Sequence, residues 1–174
     1  MKNHTKKLTT TAIFAAIICV VTTFVAVPAP AIGNINLGDI FILCSAWLLG
    51  PYGALASDIG ACLADLFSGF AIYAPATFVI KLLMALVCYY SFKVLSKISN
   101  LQIFSRAISA IFAELVMVFG YFAYECSIYD ITLAASAIPF NIIQGSICSV
   151  IGTIVCSLLF KNSTIKSFSV NFAK

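Results

Sequence analysis

The chain has 174 residues, of which 62% are hydrophobic and only 9% charged, with a net charge of +4. Soluble domains carry about 25% charged residues, so most of this surface cannot face water. A large soluble domain and a basic nucleic-acid-binding face are excluded on the same ground.

Residues 8–27 form an apolar run of spanning length, since a bilayer core needs about 20 helical residues. Lys2, Lys6 and Lys7 precede it, and Pro28 and Pro30 end it. Ala29-Pro30-Ala31 has the small-residue look of a signal cleavage site, but the membrane character of everything downstream favours a retained helix. From Leu37 to Leu95 apolarity is nearly unbroken, so breakers set the boundaries: Gly50-Pro51-Tyr52-Gly53, then the stretch from Gly69 to Pro75. They predict helices over 38–50, 54–70 and 76–95. Two more follow at about 106–124 and 132–160, with Pro139 kinking the last or marking its start.

The basic residues choose between five spans and six. With six, Lys93, Lys97 and Arg106 share a side with Lys2, Lys6, Lys7, Lys161, Lys166 and Lys174, which puts nine of the ten basic residues in the cytoplasm. The expectation is a single domain over 1–174: an all-α integral membrane protein, a six-transmembrane-helix bundle with both termini cytoplasmic. Its outer loops would be 28–37, 71–75 and 125–131. Amphipathic periodicity carries no information here, because both faces of these helices are apolar.

Charges inside a bilayer cost about 2.5–3.5 kcal/mol each on insertion scales. Asp58 and Asp65 lie seven residues apart on one face of the third helix, Glu114 sits in the middle of the fifth, and Asp39 opens the second, where a carboxylate suits a helix N-terminus. Asp65 and Lys81 flank the same outer turn, so a pair between them is expected, either pinning two helices or shaping a polar ligand site. Asn141 and Gln144 on the sixth helix are candidate ligand contacts or interhelical glue. Ala12 and Ala16 form an A-x-x-x-A pair on the first helix, and Gly145, Ser149, Gly152 and Cys156 a small-residue stripe on the sixth. Tyr73, Phe78 and Trp47 are candidate stacking residues or interface anchors.

Seven cysteines without a CxxC pair, six of them in apolar runs and Cys126 in an expected loop, argue against disulfides. The one histidine, His4, is in the polar tail, so no metal set or catalytic triad is expected. No P-loop motif occurs. The chain is expected to be no enzyme and to hold no cofactor.

The pieces Asn34-Ile35-Asn36-Leu37-Gly38-Asp39, Leu48-Leu49-Gly50-Pro51, Ala64-Asp65-Leu66 and Tyr73-Ala74-Pro75-Ala76-Thr77-Phe78-Val79-Ile80-Lys81, in that order, resemble the substrate-binding (S) components of energy-coupling-factor vitamin importers. The riboflavin-type branch, which takes in hydroxymethylpyrimidine and pyridoxine-like substrates, is the nearest in pattern. The resemblance covers roughly residues 8–95. It implies a six-helix bundle in a bacterial cell membrane that captures a small water-soluble vitamin or precursor from outside. The implied partners are a membrane coupling protein (the T component), met through Ala12 and Ala16, and two cytoplasmic ATPases. The loop from Pro28 to Leu37 would close over the ligand. Substrate-binding residues expected on this reading are Asp65, Lys81, Asn34, Asn36, Asp39, Tyr73, Phe78, Asn141 and Gln144. The competing reading is an autonomous proton-coupled carrier or channel with Asp58, Asp65 and Glu114 as a relay; an intramembrane enzyme would need acids clustered at the cytoplasmic face.

Overall fold

The computed structural model describes residues 2–29 and 33–173. Pro30, Ala31 and Ile32, which fall in the expected closing loop, lie outside the described residues. The chain is all-helical apart from one short hairpin: α1 (Lys2–Phe24), β1 (Ala26–Pro28), β2 (Asn34–Asn36), α2 (Gly38–Leu49), α3 (Pro51–Phe67), α4 (Ala74–Ile98), α5 (Gln102–Ile128), α6 (Ile131–Leu159) and α7 (Ser163–Ala173). Helices α1, α4, α5 and α6 are long and apolar enough to cross a membrane.

The breakers act where expected. Gly50 takes φ 60°, a left-handed conformation that glycine adopts without cost, and Pro51 follows as the first residue of α3. Helix α3 therefore covers 51–67 rather than 54–70. Helix α1 ends at Phe24, three residues early, because Ala26, Val27 and Pro28 pair antiparallel with Asn36, Ile35 and Asn34. The largest correction is α5, which runs to Ile128 and absorbs most of the expected 125–131 loop, including Glu125 and Cys126. Asp130 then caps α6 by accepting from the Thr132 and Leu133 amides. Those bonds hold its carboxyl below the usual range. Pro139 lies inside α6 and does not mark its start.

Helix α2 is the centre of the bundle. It packs against α1, α3, α4, α6 and α7, and Ile42, Leu43, Ala46 and Leu49 are fully enclosed. Twelve residues make only about 18 Å of helix, well short of a bilayer core of about 30 Å. The hairpin covers one end of α2, where the Leu37 amide donates to Val25, and α7 covers the other. There Ser169 donates to the Trp47 carbonyl, while Phe172 packs edge-on to Tyr52. Helix α7 has no counterpart in the predicted elements. The small-residue stripe of α6 is packing surface: Gly145 faces Glu114 of α5 and Gly152 faces Leu43 of α2.

A polar chamber at one end of the bundle

At the end that carries the hairpin, the C-terminal parts of α1, α3 and α5 meet the N-terminal parts of α2, α4 and α6. Residues of the hairpin and of α1, α3, α4, α5 and α6 enclose a chamber that is open at its mouth. Asn34, Asn36, Asp65, Tyr73, Lys81, Asn141 and Gln144 all line it, as do Phe70, Thr77, Tyr121, Glu125 and Phe140.

The chamber's base is a bonded polar group. Lys81 Nζ donates to Asp39 Oδ1 at 2.6 Å, and Gln144 Nε2 donates to Asp39 Oδ2, also at 2.6 Å. Gln144 Oε1 accepts in turn from the Asn36 amide at 2.8 Å, which ties the hairpin to α6. Asn36 accepts from the Gly38 amide and so shapes the entry into α2. The expected Asp65–Lys81 pair is thus replaced by Asp39–Lys81, the only ion pair among the described residues. The reason is the depth of α2. It inserts between α4 and α6, so the carboxylate at its first turn reaches Lys81 before any group on α3 does. Asp39, expected near the lid, is buried at the base, 1% exposed.

The walls differ from the base. Asp65 sits beside Thr77, yet its Oδ2 is buried without a hydrogen-bond partner. Glu125, on the α5 side, is 3% exposed and its Oε2 is likewise unpartnered. The Tyr73 hydroxyl is adjacent to Glu125 and Tyr129. The hydroxyls of Tyr121 and Thr77 lie 2.9 Å apart, and the Lys81 ammonium stands 5.4 Å from the Tyr121 ring centre. The Tyr124 hydroxyl donates to the Ile72 carbonyl and clips α5 to the turn before α4. Tyr73, Tyr121 and Tyr124 form an aromatic cluster at the mouth.

Two candidate stacking residues lie elsewhere. Phe78 is 41% exposed on the outer surface of the bundle, because its position on α4 is turned away from that of Thr77 and Lys81. Trp47 is buried near the other end, where it donates to Ser109 and packs on Phe92. Phe70, Thr77, Tyr121, Glu125 and Phe140 line the chamber without having been expected there; for Tyr121 and Glu125 the sequence reasoning missed a polar face of α5. Their signal was present: Glu114, Tyr121 and Glu125 follow at spacings of seven and four, one face of a helix, once α5 is allowed to continue past residue 124.

The relay envisaged for an autonomous carrier has no connection among the described residues. Asp58 is buried outside the chamber and accepts from the Ile59 amide. Glu114 lies near the Asp39–Lys81 pair but off the chamber wall, with both oxygens unpartnered. No hydrogen bond joins either of them to Asp65.

The chamber is lined by the hairpin and by residues of α1, α3, α4, α5 and α6, and comparison with known proteins covers all of these elements. A family model described as the ECF-type riboflavin transporter S component matches residues 2–161. A solved structure described as the S component of a bacterial ECF transporter is 25% identical, with a TM-score of 0.65 over 91% of this chain and 95% of that one. No curated protein matches. With the match running from the start of α1 to just past the end of α6, the chain belongs to the family of ECF-type riboflavin transporter S components.

Proposed function

We propose that this chain captures a riboflavin-type vitamin or precursor in the chamber between the hairpin and the Asp39–Lys81–Gln144 base, and passes it on inside an ECF importer. As a member of the S-component family it is a multi-pass protein of the bacterial cell membrane. It works with a T component and ATPases. The observation that carries the capture reading is the chamber itself, a polar, aromatic-lined space in a chain otherwise made of apolar helices.

The reading assigns six spans, with both termini cytoplasmic and the chamber opening outward. Lys2, Lys6, Lys7, Lys93, Lys97, Arg106, Lys161 and Lys166 belong to the bundle end opposite the chamber, in line with the positive-inside bias. Lys81 is the exception, and Asp39 neutralises it. Helix α2 counts as a span only together with the hairpin above it and α7 below.

Substrate contacts on this reading are Asn34, Asn36, Asp65, Tyr73, Asn141 and Gln144, with Tyr121 and Glu125 added. Asp39 and Lys81 hold the base in shape. Ala12 and Ala16 are exposed on α1, which suits their proposed role in docking the T component. Energy would come from the separate ATPases, since the chain has no P-loop of its own.

The test is reconstitution. The purified chain alone should bind the vitamin and give no uptake into proteoliposomes, whereas addition of the T component, the ATPases and ATP should produce uptake. Ala16→Trp should leave binding intact and abolish uptake. Uptake by the chain alone would refute the reading in favour of an autonomous carrier.

A further inference from the structure

One acid beneath the chamber base is left over by the bonding described so far. Glu114, in the middle of α5, is 5% exposed, and neither of its carboxyl oxygens has a hydrogen-bond partner. It lies against α6 at Gly145, where a methyl group would stand 3.0 Å from Glu114 Cβ and 3.2 Å from Oε2. Glycine makes room for the carboxyl there and offers it no side chain. The titratable groups near Glu114 are Asp39 of α2, Lys81 and Cys88 of α4, and Cys148 of α6. Of these only Lys81 is a cation.

Lys81 has capacity to spare. An ammonium carries three N–H donors, yet Nζ makes one hydrogen bond, to Asp39. Buried polar atoms normally have partners, so a buried donor only partly used near acceptors wholly unused is an unfinished arrangement. Charge points the same way. One ammonium neutralises one carboxylate, and a second ionised carboxyl in the same enclosed cluster would be unpaired and costly. The cluster balances when one acid is ionised and the other holds a proton. Asp39 is the ionised one as the side chains stand, since it accepts from both Lys81 and Gln144. The arrangement with Lys81 on Glu114 and the proton on Asp39 carries the same net charge.

We propose that Glu114 is a positioning residue for Lys81: it is the second acceptor of the ammonium, which moves between Asp39 and Glu114 while one proton moves the opposite way. Glu114 gives up its O–H proton and Asp39 takes one, so the exchange needs no outside reactant and leaves the charge of the cluster unchanged. Lys81 and Gln144 line the chamber, whereas Asp39 and Glu114 lie behind it. In the described position the ammonium ties α2 to α4 and holds the base together. In the other it ties α4 to α5, and Asp39 keeps only Gln144. A molecule resting on Lys81 and Gln144 therefore favours one position over the other. That use of the exchange rests on the chamber being the capture site proposed above; the exchange itself does not.

The experiment uses the full chain in detergent, without ligand, as parent, Glu114→Gln, Asp39→Asn and the double variant. Infrared spectra of the parent should contain the carbonyl stretch of a protonated carboxyl that Glu114→Gln removes. The same band should be missing from Asp39→Asn, because Lys81 then pairs with an ionised Glu114. A carboxyl that merely fills space would keep its proton and its band. In denaturant, Glu114→Gln should be as stable as the parent. Asp39→Asn should raise the unfolding constant about tenfold less in the parent than in the Glu114→Gln background, a coupling usual for residues of one network. The proposal is overturned if the parent has no such band, if the band survives in Asp39→Asn, or if Asp39→Asn costs the same in both backgrounds. Failure of Asp39→Asn to fold where Glu114→Gln folds would also overturn it, since Glu114 would not have taken over the ammonium. None of these outcomes bears on vitamin capture, which the reconstitution assay tests separately.

Discussion

At the scale of single residues, the molecule turns on how one buried ammonium is neutralised. The side chains of Lys81 and Asp39 are 5% and 1% exposed, so neither has water to fall back on. Removing one partner of such a pair costs about 3–5 kcal/mol, whereas replacing both with apolar groups of similar size is often close to neutral. Lys81→Met should therefore lower stability by about 3–5 kcal/mol, read as unfolding in detergent with increasing denaturant. The double variant Lys81→Met/Asp39→Leu should recover most of that loss while still weakening the chamber, because Gln144 would lose its acceptor. A double variant no more stable than the single would show that the ion pair is not the element being protected. The sequence made these residues conspicuous without saying which touch. Asp65 is sixteen positions from Lys81 across one turn, and Asp39 is forty-two away, so local proximity pointed to the wrong acid. What decided the pairing was the depth at which α2 inserts, a property of packing around a helix only twelve residues long.

At the scale of elements, close approach of backbones sets the architecture, and two glycines show the difference between a fixed and a yielding neighbour. A methyl group at Gly60 of α3 would stand 2.5 Å from the Ala15 carbonyl oxygen of α1, with Cβ of Ile18, on the same helix, at 3.0 Å. The first contact is backbone and can yield only if the two helices part. Overpacking of this kind costs about 1–3 kcal/mol, against a gain of about 1 kcal/mol from helix propensity. Gly60→Ala should thus be destabilising on balance, and Gly60→Val more so. At Gly120 of α5 the atoms nearest to the corresponding methyl belong to the side chain of Ile80, at 2.9 Å; a branched side chain is stiff about χ1, but it can shift by a few tenths of an ångström without parting two backbones. Gly120→Ala should therefore cost less than Gly60→Ala in the same unfolding assay, and equal losses at the two sites would discredit the backbone-contact explanation. Element boundaries were legible wherever glycine and proline cut the chain, as at Gly50-Pro51. They were misread where a polar residue looked like a loop. Glu125 falls in the expected 125–131 loop, yet α5 carries it into the chamber wall. The three-residue strands and α7 escaped notice because neither has the length or apolarity that marks a span; α7 holds on through Phe172 and Ser169, against Tyr52 and the Trp47 carbonyl.

At the scale of the whole molecule, one asymmetry orders everything else. Apart from Lys81, the basic residues among those described belong to one end of the bundle and the chamber opens at the other, so the direction of insertion also decides which compartment the chamber samples. A cysteine at Ile72, exposed in the turn before α4, and one at Asn100, exposed between α4 and α5, report on the two ends. The seven native cysteines are buried or half-buried and can be replaced with alanine or serine first, retaining only variants that fold. In intact cells, Ile72→Cys should react with a membrane-impermeant maleimide and Asn100→Cys should not; after permeabilisation both should react. The reverse pattern would turn the chamber toward the cytoplasm, where no solute could be captured from outside. Labelling of both sites in intact cells would mean that α4, the one helix between them, does not cross, and the six-span assignment would have to be given up. Helix α4 is long enough to cross on its own, so the side on which each cysteine reacts tells whether α1, α2 and α3 together make an odd number of crossings: three crossings put the turn at Ile72, and with it the mouth of the chamber, outside, whereas a single crossing by α2 and α3 joined would put both inside.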